Sequence, residues 1–202
     1  MTDRKPDRRQ LTNQNKKLNG VCNQSDSDRQ SDGRSPPKSA SNGCNSKSGQ
    51  TRPDKSTEIP ELRMDSVAYK SMLLTIGSHR PETGGILLGP IGSNDITTWY
   101  FDRGGNCTGA SYSPDHVNLN QRMKDIWLPL GIDMKGFVHS HPGRHDWLTT
   151  GDLAYINRLL DKNDDMTMFA APIVIPVEFR MRAIVVLREK PRQPQKARLV
   201  LF

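Results

Sequence analysis

Three of the chain's five histidines fall in one short window, "GFVHSHPGRHDWLTTGD", from Gly136 to Asp152. His139 and His141 are two residues apart, and residues i and i+2 of a strand face the same side. The two imidazoles would therefore project together, as two ligands of one metal ion must. Asp152 falls in the first turn of the helix expected next, within reach of the same point. Two imidazoles and a carboxylate suit Zn²⁺. Three protein ligands leave a fourth tetrahedral position for water, which marks a catalytic rather than a structural site. Each residue alone also has an ordinary explanation. A strand histidine can be a surface or core residue, and Thr149-x-x-Asp152 is also a helix-capping pattern. His145 and Asp146 lie in a loop opened by Pro142-Gly143 and are expected in solvent or at the edge of a cleft.

The elements that must position these residues can be read from periodicity. "GFVHSH" reads as a short strand and "TTGDLAYINRLL" as a capped helix. Upstream, "DSVAYKSMLLTIGSH" predicts a helix capped by Asp65 or Ser66 and ended by Gly77, with Val67, Tyr69, Met72, Leu73 and Ile76 inward. "GGILLGPI" and "DITTWYF" predict two strands around the turn "GSND". "PDHVNLNQRMKDIWLPL" predicts a helix burying Val117, Leu119, Met123, Ile126 and Trp127. "MFAAPIVIP" and "FRMRAIVVL" predict a hairpin, and "ARLVLF" a last strand. Interleaved helices and strands predict an α/β fold, a curved mixed sheet flanked by helices.

The first 57 residues differ in kind. Residues 1–55 hold no Phe, Trp or Tyr, and they carry 12 of the 29 basic side chains but only 6 of the 22 acidic ones. Such a segment buries too little apolar area to offset its ordering entropy, so 1–57 is expected to be a disordered basic tail and 58–202 the folded domain. The remaining 17 basic and 16 acidic side chains nearly balance, so charge gives the domain no nucleic-acid bias. Nucleic acid or an acidic partner is left to the tail, with plain solvation as the alternative. Cys22, Cys44 and Cys107 form neither a disulfide framework nor a zinc knuckle. With no apolar run near the ~20 residues of a membrane span and no apolar signal core after the N-terminus, a soluble cytoplasmic setting is expected.

The combination His139-Ser140-His141-Pro142, seven residues from Pro142 to Leu148, then Thr149-x-x-Asp152 resembles the JAMM motif of the JAB/MPN metalloprotease family. "PETGGILLG" resembles that family's Glu-x-Gly-Gly-x-Leu-x-Gly segment. The two pieces occur in the family's order, and the resemblance spans residues from about 62 to about 190. It implies a JAB/MPN-like sheet, laid out as in cytidine deaminases. It implies His139, His141 and Asp152 as zinc ligands, and Glu82 as the carboxylate that takes a proton from the attacking water. Thr149 stands where the family usually has a Ser that helps stabilise the oxyanion; the hydroxyl is kept and a methyl added. Gly84 and Gly85 are expected to let the backbone turn closely behind Glu82.

The implied reaction is hydrolysis of a peptide or isopeptide bond at the C-terminus of ubiquitin or a ubiquitin-like protein, as in the compact prokaryotic branch of the family. The ubiquitin-like partner is expected to add beside the strand after Glu82 or near Trp147. Trp147 is equally expected as an ordinary core or loop anchor. A rival nucleophile, Cys107, has no base that the sequence supplies. Two other classes remain: a zinc-free scaffold of the same fold, and a nucleic-acid-associated protein.

Overall fold

A computed structural model describes residues 58–79, 82–108, 111–143 and 145–202. The tail expected over 1–57 lies outside them. Eight strands of the described residues form the main sheet. Its centre is β6 (Ile132–Ser140), flanked by β2 (Gly84–Pro90) and β3 (Thr98–Phe101) on one side, and by β7 (Met168–Ala170) and β10 (Ile184–Leu187) on the other. β11 (Gln195–Lys196) extends that side beyond β10. A separate parallel pair joins β1 (Glu61–Met64) to β12 (Arg198–Leu201), and β4 (Asn106–Cys107) with β5 (Tyr112–Ser113) makes a small hairpin. Neither β1 nor the β4–β5 hairpin follows from the periodicity above, because two- to four-residue strands carry almost no alternation.

The side chains of the sheet alternate between two cores. On β2, Ile86 and Leu88 join one cluster and Leu87 the other; on β6, Phe137 and Val138 divide in the same way. One face packs against α1 (Ser66–Gly77). The other packs against α2 (His116–Arg122) and α3 (Thr150–Lys162). The result is a mixed α/β architecture with helices on both faces of the sheet, as expected.

Two helices differ from the sequence expectation. Asp65 caps α1 as expected, accepting from the N–H groups of Val67 and Ala68 at 2.8 Å. The buried face is Ala68, Met72, Leu73 and Ile76, while Val67 is 72% exposed. Val67 shares its side with Leu74, seven residues on, and that side faces away from the sheet. The helix expected from Pro114 is α-helical only over α2, then passes through a π turn at Met123–Trp127 and a 3₁₀ turn at Leu128–Leu130. Leu119, Met123 and Trp127 are buried at intervals of four. Val117 and Ile126 fall off that stripe and are exposed.

The predicted hairpin forms with each arm broken in two. β8 (Ile173–Ile175) pairs with β9 (Arg180–Arg182), and β7 pairs with β10. The first arm breaks at Ala171–Pro172, where proline has no N–H for a ladder. Both halves run parallel to β6: β7 meets it at Gly136↔Ala170, and β8 meets it at His139↔Ile173. β8 thereby braces the end of β6 that carries the histidines.

Gly84 and Gly85 serve close packing rather than a turn, since both lie within extended β2. A Cβ on Gly84 would fall 2.6 Å from the Val138 carbonyl oxygen and against the Tyr112 ring. One on Gly85 would strike the Tyr100 carbonyl. The strand after Glu82 also cannot accept a peptide strand, because β2 is bonded to β3 on one side and β6 on the other. The docking place expected there is therefore overturned.

Candidate metal centre

The strand period carries the site. Phe137 points into the core on the α3 face, and His139, two residues on, faces the same side. Asp152 rises to meet it from the first turn of α3. His139 Nε2 and His141 Nε2 lie 3.0 Å apart. Asp152 Oδ2 lies 3.6 Å from the first and 3.8 Å from the second. Among the described residues, these three form a group that can hold a metal ion. Tetrahedral Zn–N and Zn–O bonds of about 2.0–2.1 Å separate neighbouring ligand atoms by roughly 3.3–3.4 Å. The triangle found here brackets that value, so the donor set fits the ion.

A backbone contact sets the tautomer of His141. Its Nδ1 lies 2.9 Å from the carbonyl oxygen of His145. With Nδ1–H donating there, Nε2 keeps its lone pair toward the triangle, the orientation a metal-binding histidine needs. His145, placed by sequence only in solvent or at the cleft edge, thus supports the site through its backbone, and its ring stacks on His141. Burial lowers the pKa of His141, aided by His139 alongside. A neutral imidazole is the ligand form.

Asp152 is held ionised. Burial works to raise its pKa, but the His139 imidazole 3.6 Å away, then the Thr149 N–H and hydroxyl, carry it well below the usual carboxylate range. Thr149 is the N-cap of α3, in a capping box with Asp152. The Thr149 N–H donates to Asp152 Oδ2 at 2.8 Å, and its hydroxyl reaches the same oxygen at 2.7 Å. The Asp152 N–H donates back to the Thr149 hydroxyl at 3.2 Å. The capping alternative is therefore realised, and it also orients the carboxylate.

Glu82 opens onto a cleft of about 280 Å³ shared with Tyr112, His141, Thr149 and Asp152. Burial and the nearby Asp152 raise its pKa, while His139 and the Tyr112 N–H pull it down. A carboxylate with a raised pKa at the edge of a cleft is suited to accept a proton.

Tyr112 is a contributor the sequence reading missed. Its backbone N–H favours the ionised form of Glu82, and its hydroxyl donates to Asp102 at 2.8 Å. Asp102 is 4% exposed and also accepts from the N–H groups of Asp115 and Gly104. Only the Gly-rich "RGGN" beside Asp102 hinted at this turn. Ser140 is a second omission. Its position between the two histidines was the available signal.

The other candidates separate. Asp146 pairs with Arg182 and Arg180, away from the triangle. Trp147 packs against the α3-side core, with Lys196 over its ring, as the anchor reading expected. Burial, then the charges of Asp102 and Glu82, raise the pKa of Cys107, the opposite of an activated nucleophile.

No family model matches the chain, and no curated protein matches it. Among solved structures it is similar to that of protein DSY2949 from Desulfitobacterium hafniense, with 19% identity and a TM-score of 0.53. That match covers 69% of this chain and 92% of the other. It is also similar to AF2198, a JAB1/MPN domain protein from Archaeoglobus fulgidus, with 16% identity and a TM-score of 0.42 over 68% of this chain and 98% of that one. The first likeness is one of fold, so residue roles rest on the geometry above. Among the described residues, no helix is long and apolar enough to cross a membrane.

Proposed function

We propose that this chain is a zinc-dependent hydrolase of peptide or isopeptide bonds, acting at the C-terminus of a ubiquitin-like protein. The observation that carries the reading is the triangle of His139, His141 and Asp152 beside a partly buried Glu82 that is not one of its corners. The resemblance to the JAMM motif supplies the substrate class. A cytoplasmic setting belongs to the same reading.

His139, His141 and Asp152 would hold the ion. When bound, zinc supplies Lewis-acid polarisation and lowers the pKa of water from about 15.7 to about 7. Glu82 takes the proton from the attacking water as its oxygen bonds to the scissile carbonyl carbon. Glu82 then delivers that proton to the departing nitrogen as the C–N bond breaks. Neither step needs a covalent acyl-enzyme. Thr149 adds oxyanion stabilisation by turning its hydroxyl from Asp152 into the cleft, while its N–H stays on the carboxylate.

Metal analysis of the full chain together with cleavage of a panel of ubiquitin-like fusions tests the proposal. It requires about one zinc per chain and processing of at least one fusion. A metal-free protein that cleaves nothing would be a scaffold of this fold.

A further inference from the structure

Ser140 stands between the two histidines, ends β6 and has no exposed surface. Gly84↔His139 is the last antiparallel pair of β2 and β6 at this end. Beyond it the strands part, and one hydroxyl spans the parting. The Ser140 N–H donates to the Thr83 carbonyl at 2.9 Å. The Thr83 N–H donates to the Ser140 hydroxyl at 3.1 Å, and that hydroxyl lies 3.4 Å from the Thr83 carbonyl oxygen. A side-chain oxygen thus takes the place of a ladder carbonyl. This lets the chain diverge at Thr83 and carry Glu82 out to the cleft without orphaning a buried N–H.

We propose that Ser140 is a positioning residue for Glu82. Its hydroxyl fastens the Glu82–Thr83 peptide to the very residue that separates the two histidines, so the carboxylate and the nitrogen donors hold one fixed spacing. Ser140 itself touches neither substrate nor metal. The inference rests on the hydrolase reading. Misplacing a reacting group by about 1 Å can reduce rate on the order of 10²-fold, which sets the scale expected from loosening this tie.

The test uses the zinc-loaded full chain on a ubiquitin-like fusion, comparing wild type, Ser140→Ala, Ser140→Cys and Glu82→Gln. Cysteine keeps the side-chain shape, with a larger sulfur that is only a weak acceptor, so it serves if the alanine variant fails to fold. The expected result is a kcat at least about tenfold lower in each Ser140 variant. KM and zinc content should stay at wild-type values, and the Thr83 amide should exchange its hydrogen faster than in wild type. A purely structural role would instead lower the amount of folded, zinc-loaded protein and leave kcat per loaded site unchanged. Wild-type kcat in the Ser140 variants while Glu82→Gln is inactive would overturn the inference alone, as would a loss that tracks zinc content. Equal rates for wild type and Glu82→Gln would instead bring down the hydrolase reading.

Discussion

The hydroxyl of Thr149 lies 2.7 Å from Asp152 Oδ2, so the helix cap and the candidate metal carboxylate are one hydrogen-bonded unit. Thr149→Ala removes the cap and one of the contacts that keep Asp152 ionised. It should destabilise the protein by about 1 kcal/mol, as N-cap deletions do. Thr149→Ser keeps the hydroxyl and should leave stability near wild type. Thermal denaturation of the two variants checks this. In turnover, Thr149→Ala should lose less than Glu82→Gln.

Gly84 is where β2 touches both Val138 and the Tyr112 ring. Gly84→Ala forces a methyl to within 2.6 Å of a backbone oxygen that cannot easily move. Overpacking of this kind costs about 1–3 kcal/mol. The melting temperature should fall clearly, whereas Gly92→Ala, whose Cβ meets nothing within 4 Å, loses only through its positive φ.

Much of this was legible in the sequence, for identifiable reasons. His139 and His141 are local to one strand, and Asp152 is local to one capped helix turn, so period and capping rules reach them. The sheet-facing stripe of α1 was partly legible, but Val67 was misassigned because one apolar residue beside a stripe looks like part of it. Ile126 was lost to a π turn, whose change of helical phase leaves no mark in composition. Ser140 acts on the Thr83 backbone 57 positions away, and the Tyr112 N–H on the Glu82 carboxylate 30 positions away. Such long-range contacts have no periodic signature. The interior placement of β2 was likewise invisible, since a doubly paired strand and an edge strand can share one apolar run.

The metal-free protein should lose stability on mild acidification. His141 has a folded-state pKa below its ordinary 6.5, so the unfolded chain binds its proton first. Stability from this group is fully present above pH 6.5 and declines as pH falls toward the lowered value. Asp152, depressed from 3.8, acts in the same direction in a separate window below pH 3.8. Glu82, raised from 4.5, acts in the opposite direction, so the His141 contribution is the extra decline in melting temperature from pH 7.5 to 5 that wild type should show relative to His141→Gln.

The donor triangle itself predicts metal content. Wild-type protein should retain about one zinc per chain after dialysis, and His139→Ala or His141→Ala should each lose it, because two remaining donors no longer close a site. Inductively coupled plasma analysis of the purified variants measures this. Full zinc in the double variant would remove both residues from the ligand set.

In the proposed mechanism Glu82 handles the proton while the triangle handles the ion. Single-turnover cleavage of a ubiquitin-like fusion by wild type and Glu82→Gln, with zinc content measured on the same samples, separates the two roles. Glutamine keeps the size and hydrogen bonding of the side chain but cannot accept the proton. Both proteins should hold equal zinc, and the variant should be about 10²–10⁴-fold slower. Cleavage at the wild-type rate, or loss of zinc from Glu82→Gln, would contradict that division of roles.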